Sequence, residues 1–396
     1  MPKTIFLALS FLASLLTSPA FALETEFRSE ADFINVYRNI HQQGLSSVDT
    51  ALDSYVVGNT QVRLSHEGFQ LEVRPEIRGL LGRSVGLPLT DPAFATVRSP
   101  RRLLNLRTKL ESGAGNEWYL DWERLNLSYR GEDFEVQAGR RIVSLGVLKV
   151  IPLMNKFSRP LPTAPNPQII YASDMVSARW QSGEWALSSV GIADRRIADS
   201  VIWLEAIRYA EWAEVHLLAS QWWRETTFGV AIAKDVAGAT LRGELLAVSP
   251  FSDRPESQIQ AGIGGEYAFD EKWSAVLETL YQSKGAKRRD QYTLALPSRF
   301  MPLRGFGYSI LNAQYKLTPL WNLSAGALTN WLDGSTYALI KAQHSLNENT
   351  DLFLELAAPI GTEGAEFSAR TFTISVPTAA TVGSPLQASL GLRTTF

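Results

Sequence analysis

The chain has 396 residues, 45% of them hydrophobic, no cysteine, and a formal net charge of −2. Without cysteines an exported fold of this size has no disulfide framework, and the near-neutral balance argues against a general nucleic-acid binder. Past the N-terminal segment nothing approaches the roughly 18 to 20 consecutive apolar residues of a transmembrane helix, which argues against a helical inner-membrane protein. No Ser/Gly/Pro linker separates halves, so a single domain is expected.

The N-terminus has a short basic start, Met1 to Lys3, an apolar run from Thr4 to Leu16, and the small-x-small pattern Ala20, Phe21, Ala22. The run is too short to span a bilayer. It predicts a signal peptide over 1–22, removed after Ala22, rather than a membrane anchor. Residues 24–37 fit either a first strand or a short amphipathic helix from Ser29, and 23–55 as a whole a first strand or a short periplasmic or plug segment.

Alternation dominates from there. Phe69, Leu71, Val73 and Ile77 alternate with Gln70, Glu72, Arg74, Glu76 and Arg78. Ile259, Ala261, Ile263, Tyr267 and Phe269 alternate with Gln258, Gln260, Gly262, Gly264 and Glu266. Trp273, Ala275, Leu277, Thr279 and Tyr281 alternate with Ser274, Glu278 and Gln282. Trp321, Leu323, Ala325, Ala327 and Trp331 oppose Asn322, Ser324, Gly326 and Asn330. In the last segment Leu386, Ala388, Leu390, Leu392, Thr394 and Phe396 oppose Gln387, Ser389, Gly391, Arg393 and Thr395. A period of two with unlike faces means strands between two environments. Repeated in segments of about ten, it predicts an all-β, transmembrane, antiparallel up-and-down barrel of about 18 strands, in the range 16–18. The terminal strand ending on Phe396 also resembles the closing strand of bacterial outer-membrane barrels, which the assembly machinery reads.

The connectors fit hairpins. Gly131-Glu-Asp, Ser182-Gly, Asp270-Glu-Lys, Thr318-Pro, Asp333-Gly-Ser and Asn347-Glu-Asn are short, whereas 81–100, 142–171, 285–303 and 361–385 are long. Short turns belong on the periplasmic side of such a barrel and long loops outside. Traced backwards from Phe396, this phase puts 142–171 outside but 81–100 on the periplasmic side, and the strand count comes to about eighteen or nineteen where an even number is required. Tryptophans at or near segment ends (Trp118, Trp180, Trp185, Trp203, Trp212, Trp223, Trp273, Trp321, Trp331) suit two interfacial girdles. The competing reading is the core of a soluble β-protein, which would have to bury these rings beside charged faces.

One hairpin has a family likeness. Asp121 to Gly146, followed by Ile151 to Pro160, resembles a hairpin of large porin-like bacterial barrels related to the alginate-export family. There an Arg-x-x-Leu-like strand turns into a Gly-Arg-Gln strand, then Trp-Gly and a long loop with Phe and Pro. Arg124, Gly139, Arg140 and Gly146 match, and Phe157 and Pro160 fit more loosely. Arg141 replaces the glutamine and Leu145 the tryptophan. The resemblance implies an outer-membrane channel of about eighteen strands and transfers no substrate.

Extending the alternation places Arg63, Arg74, Arg78, Arg107, Lys109, Arg124, Arg141, Arg179, Arg242, Arg304, Lys316, Lys341 and Arg393 in the lumen, facing Glu72, Glu76, Glu135, Glu214, Glu244, Glu266, Glu278 and Glu355. Arg140 falls on the apolar face with Phe134, Val136 and Ala138, so it must sit near the interface or follow a bulge. The basic excess suits a lumen that tolerates or prefers anions; the alternative is a salt-bridge lattice that stiffens the wall, as Glu72, Arg74, Glu76 and Arg78 suggest. The proline-rich loop 142–171, with Lys149 and Lys156, is either a constriction or an ordinary surface loop. Fragments of a hydrolase can be assembled from His216 with Ser220 and His344 with Asn347, and His41 and His66 complete the histidines. No nucleophile elbow or metal spacing accompanies them. No catalytic, cofactor or metal site is expected, and residues 23–55 are too few for a receptor plug. The expected function is therefore a channel for small hydrophilic, anion-tolerant solutes, embedded in outer-membrane lipid of a Gram-negative bacterium. A non-conducting structural barrel and a barrel hydrolase are the alternatives.

Overall fold

A computed structural model describes residues 24–39, 50–82, 103–155, 172–193, 200–222, 225–250, 257–292, 303–368, 372–375, 379–382 and 386–396. The predicted signal segment 1–22, His41, Trp223 and most of the predicted 81–100 loop lie outside the described residues. The chain starts with β1 (Glu24–Asn39), β2 (Thr50–His66), β3 (Phe69–Gly82), a short β4 (Thr108–Gly113), β5 (Asn116–Arg130) and β6 (Phe134–Arg141). Next come β7 (Ser173–Ser182), β8 (Trp185–Ile192), β9 (Val201–Ala210), β10 (Ala213–Trp222), β11 (Glu225–Val236) and β12 (Ala239–Pro250). They are followed by β13 (Gln258–Ala268), β14 (Trp273–Gln282), β15 (Gly307–Thr318), β16 (Trp321–Asn330), β17 (Thr336–Asn347) and β18 (Thr350–Ile360). Two short strands, β19 (Phe372–Ser375) and β20 (Ala379–Val382), precede β21 (Leu386–Thr395).

Consecutive strands of the ring pair antiparallel, β3 with β5 and β18 with β21 among them, and β21 closes onto β1 from Glu30↔Thr395 to Asn39↔Leu386. The result is a closed ring of eighteen strands. β19 and β20 pair with each other, apart from the ring. The alternative of a helix from Ser29 is corrected: 24–39 is strand throughout, because it supplies partners to both β2 and β21. Residues 50–66 form β2, so no plug is built from the described part of 23–55.

The odd strand is β4. The first residues of β5 pair with β3 on one edge and with β4 on the other, while β6 takes over that second edge from Leu125 onward. β4 thus sits beyond the end of β6 as one arm of a hairpin in the β3–β5 connector. The strand ends that flank the predicted 81–100 and 142–171 loops, Gly82 of β3 and Arg141 of β6, lie at the same end of the barrel, which removes the conflict in phase.

Eight connectors of two to four residues gather at one end: 67–68, 131–133, 183–184, 211–212, 237–238, 269–272, 319–320 and 348–349. At 67–68 and 237–238 both turn residues have positive φ (Glu67 45° and Gly68 86°, Ala237 51° and Gly238 83°), the twist that tight hairpins require. Asp333-Gly-Ser is short but lies at the opposite, long-connector end, correcting the assumption that every short turn shares a side.

The apolar faces point outward. Phe69, Ile77, Ile259, Ile263, Phe269, Leu277, Leu386 and Leu390 are all exposed on the outer surface. Near the short turns, Trp273 stacks on Tyr315 at 4.3 Å and Trp321 on His344 at 4.3 Å, with Trp180, Trp185 and Trp212 exposed nearby. Trp203 departs from this belt: it is fully buried and belongs to an apolar cluster inside the ring. At the seam, Arg393 donates to both carboxylate oxygens of Asp32 (2.7 and 2.8 Å) and approaches Glu30 at 3.0 Å. Arg393 is partly exposed and Asp32 buried, so removing the guanidinium leaves a buried carboxylate without its charge-assisted hydrogen bonds, at a cost of about 1.5–3 kcal/mol. Arg393→Ala is therefore expected to lower the temperature at which the heat-modifiable folded band is lost in detergent electrophoresis, while Arg393→Lys retains part of it.

Candidate functional site

The connector after β6 does not stay on the surface. Residues 142–155 turn into the ring and bury Leu145, Leu148, Ile151, Leu153 and Met154 against inward-facing Met175, Ile192, Trp203, Leu218, Leu246 and Leu280. Each such side chain contributes about 1.5–3 kcal/mol of apolar burial. Backbone taken off a sheet edge into the interior must find new partners for its N–H groups. Two wall glutamates supply them. Glu244 on β12 accepts from Val147 (2.6 Å), Leu148 (2.9 Å) and Met154 (2.9 Å), and Glu278 on β14 accepts from Lys149, Val150 (3.1 Å) and Ile151 (3.2 Å).

Between these strands, β13 presents Gly262, where an added Cβ would lie 2.5 Å from Leu148. Gly146 opens the turn at φ +92°, and a Cβ there would meet the Glu244 carboxylate at 2.5 Å. The missing side chains make the seat. Of the two readings of this loop, its described part takes the inward one; Lys156, Phe157 and the prolines from Pro160 onward lie outside the described residues. Glu244 and Glu278, placed on the lumen face by alternation, are there but buried, and their oxygens are spent on the loop.

Nine strands around the ring from β13, and so across the lumen, stands β3. That wall is a lattice of charges. Arg124 pairs with Glu72 (2.9 Å), Arg74 lies 3.9 Å from Glu30 and from Glu76, and Arg78 binds Glu76 and lies 3.7 Å from Glu123. Arg63 pairs with Glu26 at 3.1 Å. On the loop side, Arg242 pairs with Glu266 at 2.8 Å, and Lys149 joins them at 3.4 Å. The stiffening reading thus describes much of the predicted set. Arg141, Arg179, Lys316 and Lys341 differ: each lacks a carboxylate within ion-pair distance among the described residues. Lys341 lies 5.1 Å from the centre of the Phe353 ring, whose place on the wall is vacated by Gly391.

Three predicted lumen cations lie elsewhere than on the ring wall. Arg107 precedes β4 and lies over Tyr119 at 4.7 Å, while Lys109 is on β4 and pairs with Glu117 at 2.7 Å. Arg304 lies in the connector before β15, because the strand begins only at Gly307.

Arg140 is 1% exposed although it shares the outward parity of Phe134 and Val136. It follows Gly139 at φ +131° and faces the register shift in β5. There it donates to Asp174 (2.6 Å), Trp122 O (3.0 Å) and Leu104 O (2.6 Å), sealing the gap between the end of β6 and β4.

At the long-connector end a second polar knot ties three connectors together. Glu366 accepts from the N–H groups of Arg304 (2.6 Å) and Gly305 (3.3 Å), from Asn330 (2.7 Å) and from Tyr308. Asp333 accepts from Tyr292 (2.7 Å), Glu366 N (2.9 Å) and Ser335 N (2.8 Å). Burial pushes the Glu366 carboxyl and the Tyr292 hydroxyl up, and it pushes the Arg304 guanidinium down. Asp333 is also desolvated, but its hydrogen bonds prevail and hold it below its ordinary value.

The hydrolase fragments do not assemble. Both ring nitrogens of His216 are taken by carboxylates, Glu205 at 2.8 Å and Glu214 at 2.8 Å. His344 stacks on Trp321 and meets the carbonyl of Leu320 at 3.3 Å.

No protein-family model matches this chain. No curated protein matches it in sequence. Its fold is similar to solved structures of Acinetobacter baumannii OccAB4 (TM-score 0.59, 7% identity, 96% of this chain and 100% of that one) and Pseudomonas aeruginosa OccK5, also named OpdH (0.57, 8%, 94% and 98%). It is also similar to Pseudomonas aeruginosa OpdK solved with vanillate (0.56, 9%, 94% and 98%). At these identities the likeness is one of fold: a closed barrel spanning nearly the whole of each chain.

Hydrogen bonds to a charged group are worth about 1.5–3 kcal/mol each. Glu278→Ala, which removes three of them, is expected to free the loop and speed trypsin cleavage after Lys149 by roughly tenfold or more. For the outer knot, a depressed carboxyl stabilises above its unfolded pKa and loses that contribution as pH falls through the folded value; a raised one contributes at acid pH and loses it as pH rises. Asp333→Asn should therefore weaken protection of residues 283–292 from trypsin at neutral pH, with the difference from the wild-type protein shrinking as pH falls.

Proposed function

We propose that this chain is an outer-membrane channel through which small hydrophilic solutes diffuse, with anionic solutes favoured. The observation that carries the reading is the closed eighteen-strand ring, apolar outside and charged within, narrowed by the inward loop 142–155 opposite the β3 wall. A closed barrel leaves no backbone edge facing lipid, and a charged inner face suits water. Four lumen-face cations with no carboxylate within ion-pair distance among the described residues (Arg141, Arg179, Lys316 and Lys341) favour anions over cations, although Arg179 faces Glu135 and Lys341 faces Glu355 across their strand pairs. OpdK, similar in fold, was solved with vanillate, an aromatic carboxylate, and a solute of that chemistry suits such a wall.

In this reading residues 1–22 serve as the export signal, the short turns face the periplasm, and β21 with Phe396 is the strand offered to the barrel-assembly machinery. The neighbours in fold are Occ and Opd proteins. The likeness to the alginate-export family rests on Arg124, Gly139, Arg140 and Gly146, with Phe157 and Pro160 as looser matches. A hydrolytic role has no support in the surroundings of His216.

Purified protein in a planar bilayer tests the proposal. Stepwise conductance is expected, with a reversal potential in a salt gradient that reports anion preference. Lys341→Gln combined with Arg179→Gln should reduce that preference. Absence of steps at any salt concentration would sink the channel reading in favour of a structural barrel.

A further inference from the structure

The inward loop carries a single charge. From Ile142 to Asn155 every residue is apolar or neutral except Lys149. Its backbone N–H is spent on Glu278, and its neighbours Leu148 and Ile151 are buried in the apolar cluster. The side chain goes the other way and is 56% exposed. The register fixes where it points. Along the inward face of β13, Gly262 seats Leu148 and Gly264 packs against Glu278. Glu266 comes next, nearest the short turn at 269–272, and meets the Lys149 ammonium at 3.4 Å. Lys149 therefore lies on the edge of the loop that faces the short-turn end of the lumen.

Glu266 does not cancel this cation, because it serves two. Its Oε1 faces Lys149 while its Oε2 accepts from Arg242 at 2.8 Å. Glu244 and Glu278 are buried at 3% and 1% exposure, and the N–H groups of the loop occupy their oxygens. Asp235 on β11 shares the row of Glu266, but Thr240 stands between them and donates to it at 2.6 Å. Two interstrand steps of about 4.8 Å put its backbone roughly 10 Å from that of Glu266. At the edge of the loop, then, two cations share one carboxylate. Across the lumen the β3 wall pairs its arginines and glutamates directly. A lattice of direct pairs presents little net field, so the unbalanced side sets the sign that a passing ion meets.

We propose that Lys149 is the specificity-determining charge of the narrowing, and that Glu266 sets its strength by dividing itself between Lys149 and Arg242. The inference rests on the channel reading and deepens it by naming the side chain that selects and the one that tempers it.

The test is the reversal potential of the full-length protein in a planar bilayer under a gradient of potassium chloride. The mean ionic strength is kept near about 0.1 M, where the screening length is about 10 Å. A unit charge about 8 Å from an ion in water changes the ion's occupancy roughly twofold. Lys149→Gln should lower the chloride-to-potassium permeability ratio by roughly twofold or more. Glu266→Gln should raise the ratio, because it releases both cations. Opposite signs are the expected result. If the Lys149–Glu266 contact served only to latch the loop, both variants would break the same contact. They would then shift the ratio in one direction or leave it unchanged, and either result would overturn the proposal. Lys316→Gln is the control, since it removes a lumen cation beside the short turn at 319–320. A shift as large as that of Lys149→Gln would overturn the assignment to the narrowing. Each variant is first checked for heat-modifiable migration, and Lys149→Met replaces Lys149→Gln if the latter fails to fold. No conductance from the wild-type protein would sink the inference together with the channel reading, whereas conductance with an unmoved ratio would sink the role of Lys149 alone.

Discussion

A backbone N–H or C=O left unpaired in hydrocarbon costs several kcal/mol, and everything in this molecule follows from avoiding that cost. The ring is complete only because β21 returns to β1, and their ten register pairs remove the last open edges. In the proposed channel, closure also separates two solvents, lipid outside and water within, and so explains why each strand carries unlike faces. Arg393, Asp32 and Glu30 then cross-link the seam from the inside, where such charges are tolerated.

The same accounting governs the loop. Once 142–155 leaves the sheet it has no ladder to complete, and it enters the barrel only because Glu244 and Glu278 collect its N–H groups while Gly262 leaves room for Leu148. The loop divides the lumen into unlike walls: an apolar, loop-covered half around β13 and a charged half around β3. Between them, at the lower edge of the loop, lie Arg141 and Arg179, the cations that the lattice leaves over.

Much of the architecture was legible because alternation is local. Phe69, Ile77, Ile263, Trp273 and Leu390 point outward as their parity requires, and the turns at 131–133, 183–184 and 348–349 fall where turn chemistry places them. Parity failed where geometry is not local. β4 alternates like any strand, yet it extends the edge of β5 beyond β6, and only pairing reveals that. Arg140 kept its parity but changed environment, because a positive-φ glycine and a register shift gave it buried partners from three segments. Trp203 sits where a segment-end tryptophan suggested a girdle, but its side chain joins the inner cluster.

The sequence by itself determined the class of fold and the faces of the strands, since each depends on residues one or two positions apart. Tertiary structure alone decided which charges are spent and which remain. Glu244 and Glu266 look alike along the chain, both acidic and both on the inward face. One is buried under a loop about ninety residues away in sequence, and the other pairs with Arg242 and Lys149 near the water. A side chain's partner across a barrel is set by ring closure and loop placement, and no local pattern encodes either.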